Sequence, residues 1–476
     1  MGESAAPTSA DGDAPACAKI AGPDIIQVAE KGDIVLDVTF ETSNETLKKS
    51  RKAAAAALAT TRKAPGGSNA TPPTNLQPKF KVAYRVSLAA LRKHSQYFEN
   101  LLSNDQFREA RLIAETHRKL EERNVKPTEA DSADLPWISI TDDDEATKAT
   151  GREHAFEDIL RIIHQKPPKA TRADMSVVTT MAIIADRLDC VHAVYGSINI
   201  NLKFGWPATS ERALVDESGR PTDVERNLRK KILVSWLLGQ PMRLHNASRE
   251  LIVRGSRLWS AYNEDDGGLT AAWWNLPEGI EAELQYRREC ILNTIASVQR
   301  HFLNLYSSKE RQCMLGYDSS AVCDSFQLGQ MLKFLLSKEL LFLVDFSTAS
   351  LESVPDTAMK NIEELLSTLK GCPAYQIDKN HTNCGLKIRI DPILDYIQSM
   401  LGAAVVSINH ADWKKRRFDV TWITPENEKE EGNEKKFVFT RALANDQRLR
   451  YEGAIYTDRM AKNLFTANSW DWTPEG

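Results

Sequence analysis

The 476-residue chain has only seven cysteines, no strong excess of either charge and no long apolar run, and each shortage removes a class of protein. An odd number of cysteines spread this thinly builds no disulfide framework, so a reducing compartment is expected. A net charge of −4, with 26% of residues charged, creates no global field for polyanions, and nucleic acid is not an expected partner. LLFLV at 340–344 is the longest run of large apolar residues. It falls far short of the ~20 residues that cross a bilayer, so no membrane partner is expected either. The first 24 residues are acidic and small-residue-rich where a signal peptide needs a basic and then an apolar stretch, and Ala6 stands where myristoylation wants Ser or Thr. The expected location is cytoplasmic, nuclear or both. Missing too are G-x-G-x-x-G after a strand, the phosphate-loop pattern, H-E-x-x-H and G-x-S-x-G, so no catalytic residue is assigned and the chain is expected not to be an enzyme.

What is present is a chain long enough for two or three domains. Residues 1–24 have a disordered composition. In 32–40, Ile34, Leu36, Val38 and Phe40 alternate as a half-buried strand, and Phe80, Val82, Tyr84 and Val86 repeat that pattern. The two strands are expected to pair antiparallel across a disordered insert at about 41–78, which holds the basic, helix-prone KKSRKAAAAALATTRK and a Gly/Pro-rich linker. Ser87 and Ser95 are expected N-caps of two short helices carrying Leu91, Phe98 and Leu102. A charged helix at 106–123, a third strand at 135–140, a helix at 154–165 stopped by KPPK, and a helix pair over 175–198 follow. From 223 to 405 apolar stripes at helical spacing predominate. AVVSI, RFDVTWIT, KKFVFTR and AIYT then read as strands, with ENEKEEGNEK as a hairpin loop.

Strand, strand, two short helices, strand, helix and helix pair is the plan of the BTB/POZ domain. Residues 32–198 resemble it through GDIVLDV, YRVSLAALRKHSQYFENLL, HAFEDILRIIH and VVTTMAIIADRLDC. The long first loop, the helix at 106–123 and Ser87 in place of a usual histidine resemble the divergent filamentous-fungal members. The resemblance implies a protein-binding module that forms homodimers or serves as an adaptor, in some members for a cullin-type ubiquitin ligase. It also implies a charged pocket at the dimer interface, to which Asp33 and Arg85 correspond. The plainer alternative makes Asp33 a surface residue at a strand start and Arg85 a solvated strand residue. Phe156 and Ile159 match a partner-binding helix, but helical spacing reads them as core.

Cysteine spacing raises a second candidate. Cys313-x9-Cys323 is followed by Cys372-x8-His381-x2-Cys384, with Gly371 and Gly385 suiting tight turns beside them. Zinc takes four thiolate or imidazole ligands tetrahedrally, so Cys313, Cys323, Cys372, His381 and Cys384 are five candidates for four places in a structural zinc site. Buried free thiols are the alternative. Cys290, inside a helical stripe, reads as core. KKSRK (48–52) and KKRR (414–417) read as solvated surface or import signals, and TDDD (141–144) as a solvated loop.

The expected architecture is mainly α. An α+β BTB/POZ-like domain at 25–204 precedes a helical domain at 223–476 that ends in a small antiparallel β element. The expected function is protein binding without catalysis. The alternative is a nuclear transcription- or chromatin-linked regulator with a structural zinc.

Overall fold

Alternation of apolar residues builds the sheet. In the computed structural model, which describes residues 25–61, 75–218, 220–260, 271–315, 320–341, 357–423, 435–444 and 453–473, β1 (Ile25–Gln27), β2 (Ile34–Glu41), β3 (Lys79–Val86) and β4 (Trp137–Asp143) lie in the order β1-β3-β2-β4. β2 and β3 pair antiparallel from Ile34↔Val86 to Glu41↔Lys79, while β4 runs parallel to β2 and β1 parallel to β3. Ile34, Leu36, Val38, Tyr84 and Val86 are fully buried on one sheet face. There Phe40 stacks on Phe80 at 5.4 Å and meets Phe156 of α5 (Arg152–Ile163) edge-on at 5.9 Å. Phe156 and Ile159 are therefore core.

Helix α1 (Asn44–Thr61) occupies the first part of the insert expected to be disordered. Its first turn is fastened, because the Asp144 carboxylate accepts from Ser43 Oγ at 2.8 Å and from Thr46 Oγ1. Lys48, Lys49, Arg51 and Lys52 on it are exposed. Residues 62–74 of the insert and the expected tail at 1–24 lie outside the described residues, as does most of the expected loop at 426–435. Helices α2 (Leu88–His94), α3 (Gln96–Ser103) and α4 (Arg108–Glu122) complete the sequence between β3 and β4. TDDD is not merely a solvated loop: Asp142 is buried and takes Arg152 Nε at 2.6 Å.

The chain divides into two compact units, Met1–Asp144 with Thr150–Pro167, and Glu145–Ala149 with Pro168–Gly476. This division falls at 167–168, earlier in the chain than the expected boundary near 204. Helices α6 (Met175–Arg187) and α7 (Val191–Asn201), expected to close the N-terminal domain, belong to the second unit, where α6 packs against α8 (Val224–Leu237). The second unit continues with α9 (Pro241–Arg254), α10 (Ile280–Ser307), α11 (Ser320–Ser337), α12 (Ile362–Lys370), α13 (Leu386–Leu401) and α14 (His410–Val420). β5 (Lys436–Val438), α15 (Arg441–Ala444), α16 (Gly453–Phe465) and β6 (Ser469–Asp471) end it. α9 stops at Gly255, whose φ of +84 and closeness to the Ala358 carbonyl leave no room for a side chain. Central α10 carries a buried ion pair, Arg287 Nε to Glu283 Oε1 at 2.7 Å. The same two side chains bind the Ser407 carbonyl and the Trp422 amide, which fastens 404–422 to α10.

The C-terminal β element differs from expectation in direction. β5 and β6 pair parallel, because α16 lies between them in sequence and a crossover returns the chain in the same sense. Three of the four expected tail strands are not strands. AVVSI contains a 3-10 turn at Ala404–Val406. RFDV ends α14, which Asn409 starts by capping the Ala411 and Asp412 amides. AIYT opens α16, whose buried Tyr456, Ala461, Leu464 and Phe465 are set at helical spacing.

Candidate metal centre

Three segments bring thiols and an imidazole together. Cys313 sits in the turn after α10, Cys323 in the first turn of α11, and His381 and Cys384 in the loop that leads into α13. That loop is held by groups other than the cluster itself. Gln327, fully buried on α11, donates to the Tyr375 carbonyl at 2.9 Å and accepts the Leu386 amide. Tyr306 on α10 donates to the Cys384 carbonyl at 3.2 Å, and Arg389 on α13 donates to the Gln312 carbonyl beside Cys313 at 2.7 Å. Gly385 allows the chain to pass the Tyr375 carbonyl, where a Cβ would come within 3.0 Å.

The ligand atoms of Cys313, Cys323 and His381 lie within 4.8 Å of one another, and all three residues are buried. The Cys384 sulfur is 3.8 Å from that of Cys313. This is far beyond the ~2.05 Å of a disulfide, and all six described cysteines are free thiols. It matches the ~3.8 Å edge of a tetrahedron whose metal–sulfur bonds are about 2.3 Å. Leu315 and Ile377 pack around the three sulfurs.

The imidazole is poised for one role. His381 Nδ1 is 2.8 Å from the Asp378 carboxylate, while Nε2 is buried and has no hydrogen-bond partner. A buried ring nitrogen with nothing to bond is costly in a protein and natural in a metal ligand. The electrostatics agree. Burial drives the Cys323 thiol up to about 12, reinforced by the neighbouring Cys384 and Cys313 sulfurs. At Cys313 burial is outweighed by hydrogen bonds from the Leu315 backbone, Ser320, Cys384 and Cys323, which hold the thiol at about 7. Crowded thiols titrate against one another, and a bound cation relieves that conflict by taking thiolate directly. The hydrogen bond that His381 donates to the Asp378 carboxylate raises the imidazole above its usual value.

Of the five candidates, Cys372 is not part of this group. It is buried in the main helical core, with its sulfur 3.7 Å from the Pro373 carbonyl and its thiol raised to about 11 by burial. Cys290 packs beside the same core. Asp378, Gln327 and Tyr306 were not anticipated. Asp-x-x-His in a turn-forming stretch was the one available signal for Asp378.

The other sequence-predicted pair separates. Among the described residues no ion pair joins Asp33 to Arg85. Asp33 Oδ1 accepts the Leu88 amide at 2.7 Å, at the start of α2. Arg85 donates to the Gly32 carbonyl at 2.9 Å and to the Ala130 carbonyl at 2.9 Å. Gly32 lies so close to Arg85 and Val86 that a Cβ there would come within 2.8 Å of each. Within the chain, then, Asp33 serves a backbone amide, and Arg85 serves backbone carbonyls and the Ser132 hydroxyl. KKRR lies on α14 instead of at a strand start, with Arg416 paired to Asp412 and Arg417 to Glu278.

A scan against protein-family models finds no match, and neither the curated proteins nor the solved structures contain a significant match to the chain. Among the described residues no helix is long and apolar enough to cross a membrane.

Proposed function

We propose that this protein binds other proteins without catalysis, through a BTB/POZ-like N-terminal unit, and that a structural zinc ion braces its helical second unit. The ion's ligands are Cys313, Cys323, His381 and Cys384. The observation that carries the reading is the buried Cys313, Cys323 and His381 triad with the Cys384 sulfur beside it. Three buried protein groups lie within 4.8 Å of one another, and the buried Cys384 sulfur, 3.8 Å from that of Cys313, is the protein group at hand for a fourth position, whereas a catalytic zinc keeps that position for water or substrate. The β2–β3 pair, the two short helices after it and β4 parallel to β2 support the BTB/POZ-like reading of the first unit. Self-association and adaptor binding, including to a cullin-type ligase, follow from that reading, as does residence in the cytoplasm or nucleus.

The test joins two measurements on the full chain. Metal analysis of protein purified without chelator is expected to give about one zinc per chain in wild type and little in Cys313→Ser. Tagged protein recovered from its native cell is expected to carry protein partners identifiable by mass spectrometry. Metal-free protein that stays folded would sink the zinc reading. Recovery of salt-sensitive nucleic acid with no protein partner would replace the adaptor by a chromatin-linked regulator.

A further inference from the structure

We propose that Asp378 is the positioning residue of the metal centre, holding His381 as the Nδ1–H tautomer with Nε2 turned to the ion. The inference rests on the zinc reading and assigns a role that the four ligands alone do not contain.

Asp378 performs two separable tasks. Its Oδ1 accepts the Asn380 amide at 2.7 Å, which shapes the turn 378–381, and the same atom meets His381 Nδ1 at 2.8 Å. The Asp378 carbonyl also accepts the His381 amide at 3.3 Å, and the His381 carbonyl the Cys384 amide at 3.4 Å. One short loop thus sets both the His381 and Cys384 donors relative to each other. An ionised carboxylate only accepts, so Nδ1 must carry the proton, and once the ring gives up its second proton to become a metal ligand it is Nε2 that offers its lone pair. His381 is 4% exposed and its Nε2 makes no hydrogen bond of good geometry, so Asp378 is the strongest hold on the ring, with the Cys313 sulfur as its other neighbour. The Asp378 side chain is about half exposed and is not one of the mutually close donor groups, which leaves it outside the ligand set. Carboxylate-to-histidine contacts of this kind raise ligand basicity, and losing one costs about 10–100-fold in metal affinity.

Asn suits the same turn as Asp, so Asp378→Asn keeps the loop while removing the charge; Asp378→Ala removes both. Zinc affinity of the full-length wild type and both variants would be measured by competition with a chromophoric chelator, alongside the visible spectrum of the cobalt(II)-loaded proteins. The expected result is about 10–100-fold weaker zinc binding in Asp378→Ala, a smaller loss in Asp378→Asn, and an altered cobalt ligand field in both with helical content unchanged. If Asp378→Ala does not fold, the Asn variant decides by affinity and spectrum together. Wild type that binds zinc, with variants equal to it in both readouts, overturns the positioning role alone. Wild type that fails to bind zinc overturns the zinc reading and this inference with it.

Discussion

At the scale of single residues, His164 shows how a polar side chain outside the metal centre ties the first unit together. Its Nε2 accepts the Ser87 amide at 2.9 Å and its Nδ1 donates to the Leu160 carbonyl at 2.7 Å, which requires the neutral ring. Burial, helped by nearby Lys166, lowers its pKa below the ordinary 6.5. The unfolded chain then binds more protons than the folded one below that value, so this contribution to stability is complete above 6.5 and is lost as pH falls through 6.5 toward the folded-state value. Urea midpoints of the first unit are expected to drop between about pH 7.5 and pH 5.5 in wild type and to drop less in His164→Gln. Residue types at the metal centre were readable in sequence, because thiols and an imidazole beside Gly371 and Gly385 stand apart from helical stripes. The exclusion of Cys372 was not readable. Eight residues separate it from His381, and only the packing of its thiol into the helical core removes it from the site.

At the scale of elements, the two serine caps separate. Ser95 Oγ accepts the Phe98 amide at 3.1 Å and caps α3, whereas Ser87 makes no side-chain cap and Asp33 serves the start of α2 instead. Ser95→Ala is expected to cost about 1 kcal/mol in urea unfolding, and Ser87→Ala only a few tenths. Equal losses in the two variants would show that the side-chain caps do not differ. Sheet strands in the first unit were legible because one face alternates over eight residues in both β2 and β3. The tail was misread because segments of four to eight apolar residues suit a strand or a buried helix equally. Asn409 capping α14, and the buried helical face of α16, decide between them.

At the scale of the whole molecule, the two compact units are expected to respond differently to removal of the proposed zinc. A structural ion binds the folded site and not the open chain, so its removal lowers the stability of the unit that holds it. Thermal unfolding followed by calorimetry is expected to resolve two transitions. A strong chelator should lower the one belonging to the second unit while leaving the other unmoved. At a free zinc level 1,000 times the dissociation constant, the loss amounts to about 4 kcal/mol. A chelator that moves neither transition would count against the ion's bracing role.

By itself the sequence determined the identities of the donors, the alternation that makes β2 and β3, the stripes that make the long helices, and the lack of any run able to span a bilayer. These are local properties, set by side-chain chemistry and by periods of 2.0 and 3.6 residues. Tertiary structure alone decided that α6 and α7 join the second unit, that β5 and β6 run parallel, and that Asp33 and Arg85 bind backbone instead of each other. It also decided that Cys313, Cys323 and His381 converge with the Cys384 sulfur beside Cys313, while Cys372 does not. Cys313 and Cys384 are 71 residues apart in sequence and 3.8 Å apart at sulfur. That closeness comes from the packing of α10, α11 and α13 and from the Gln327, Tyr306 and Arg389 bonds that hold the loop, and no spacing within one segment encodes it.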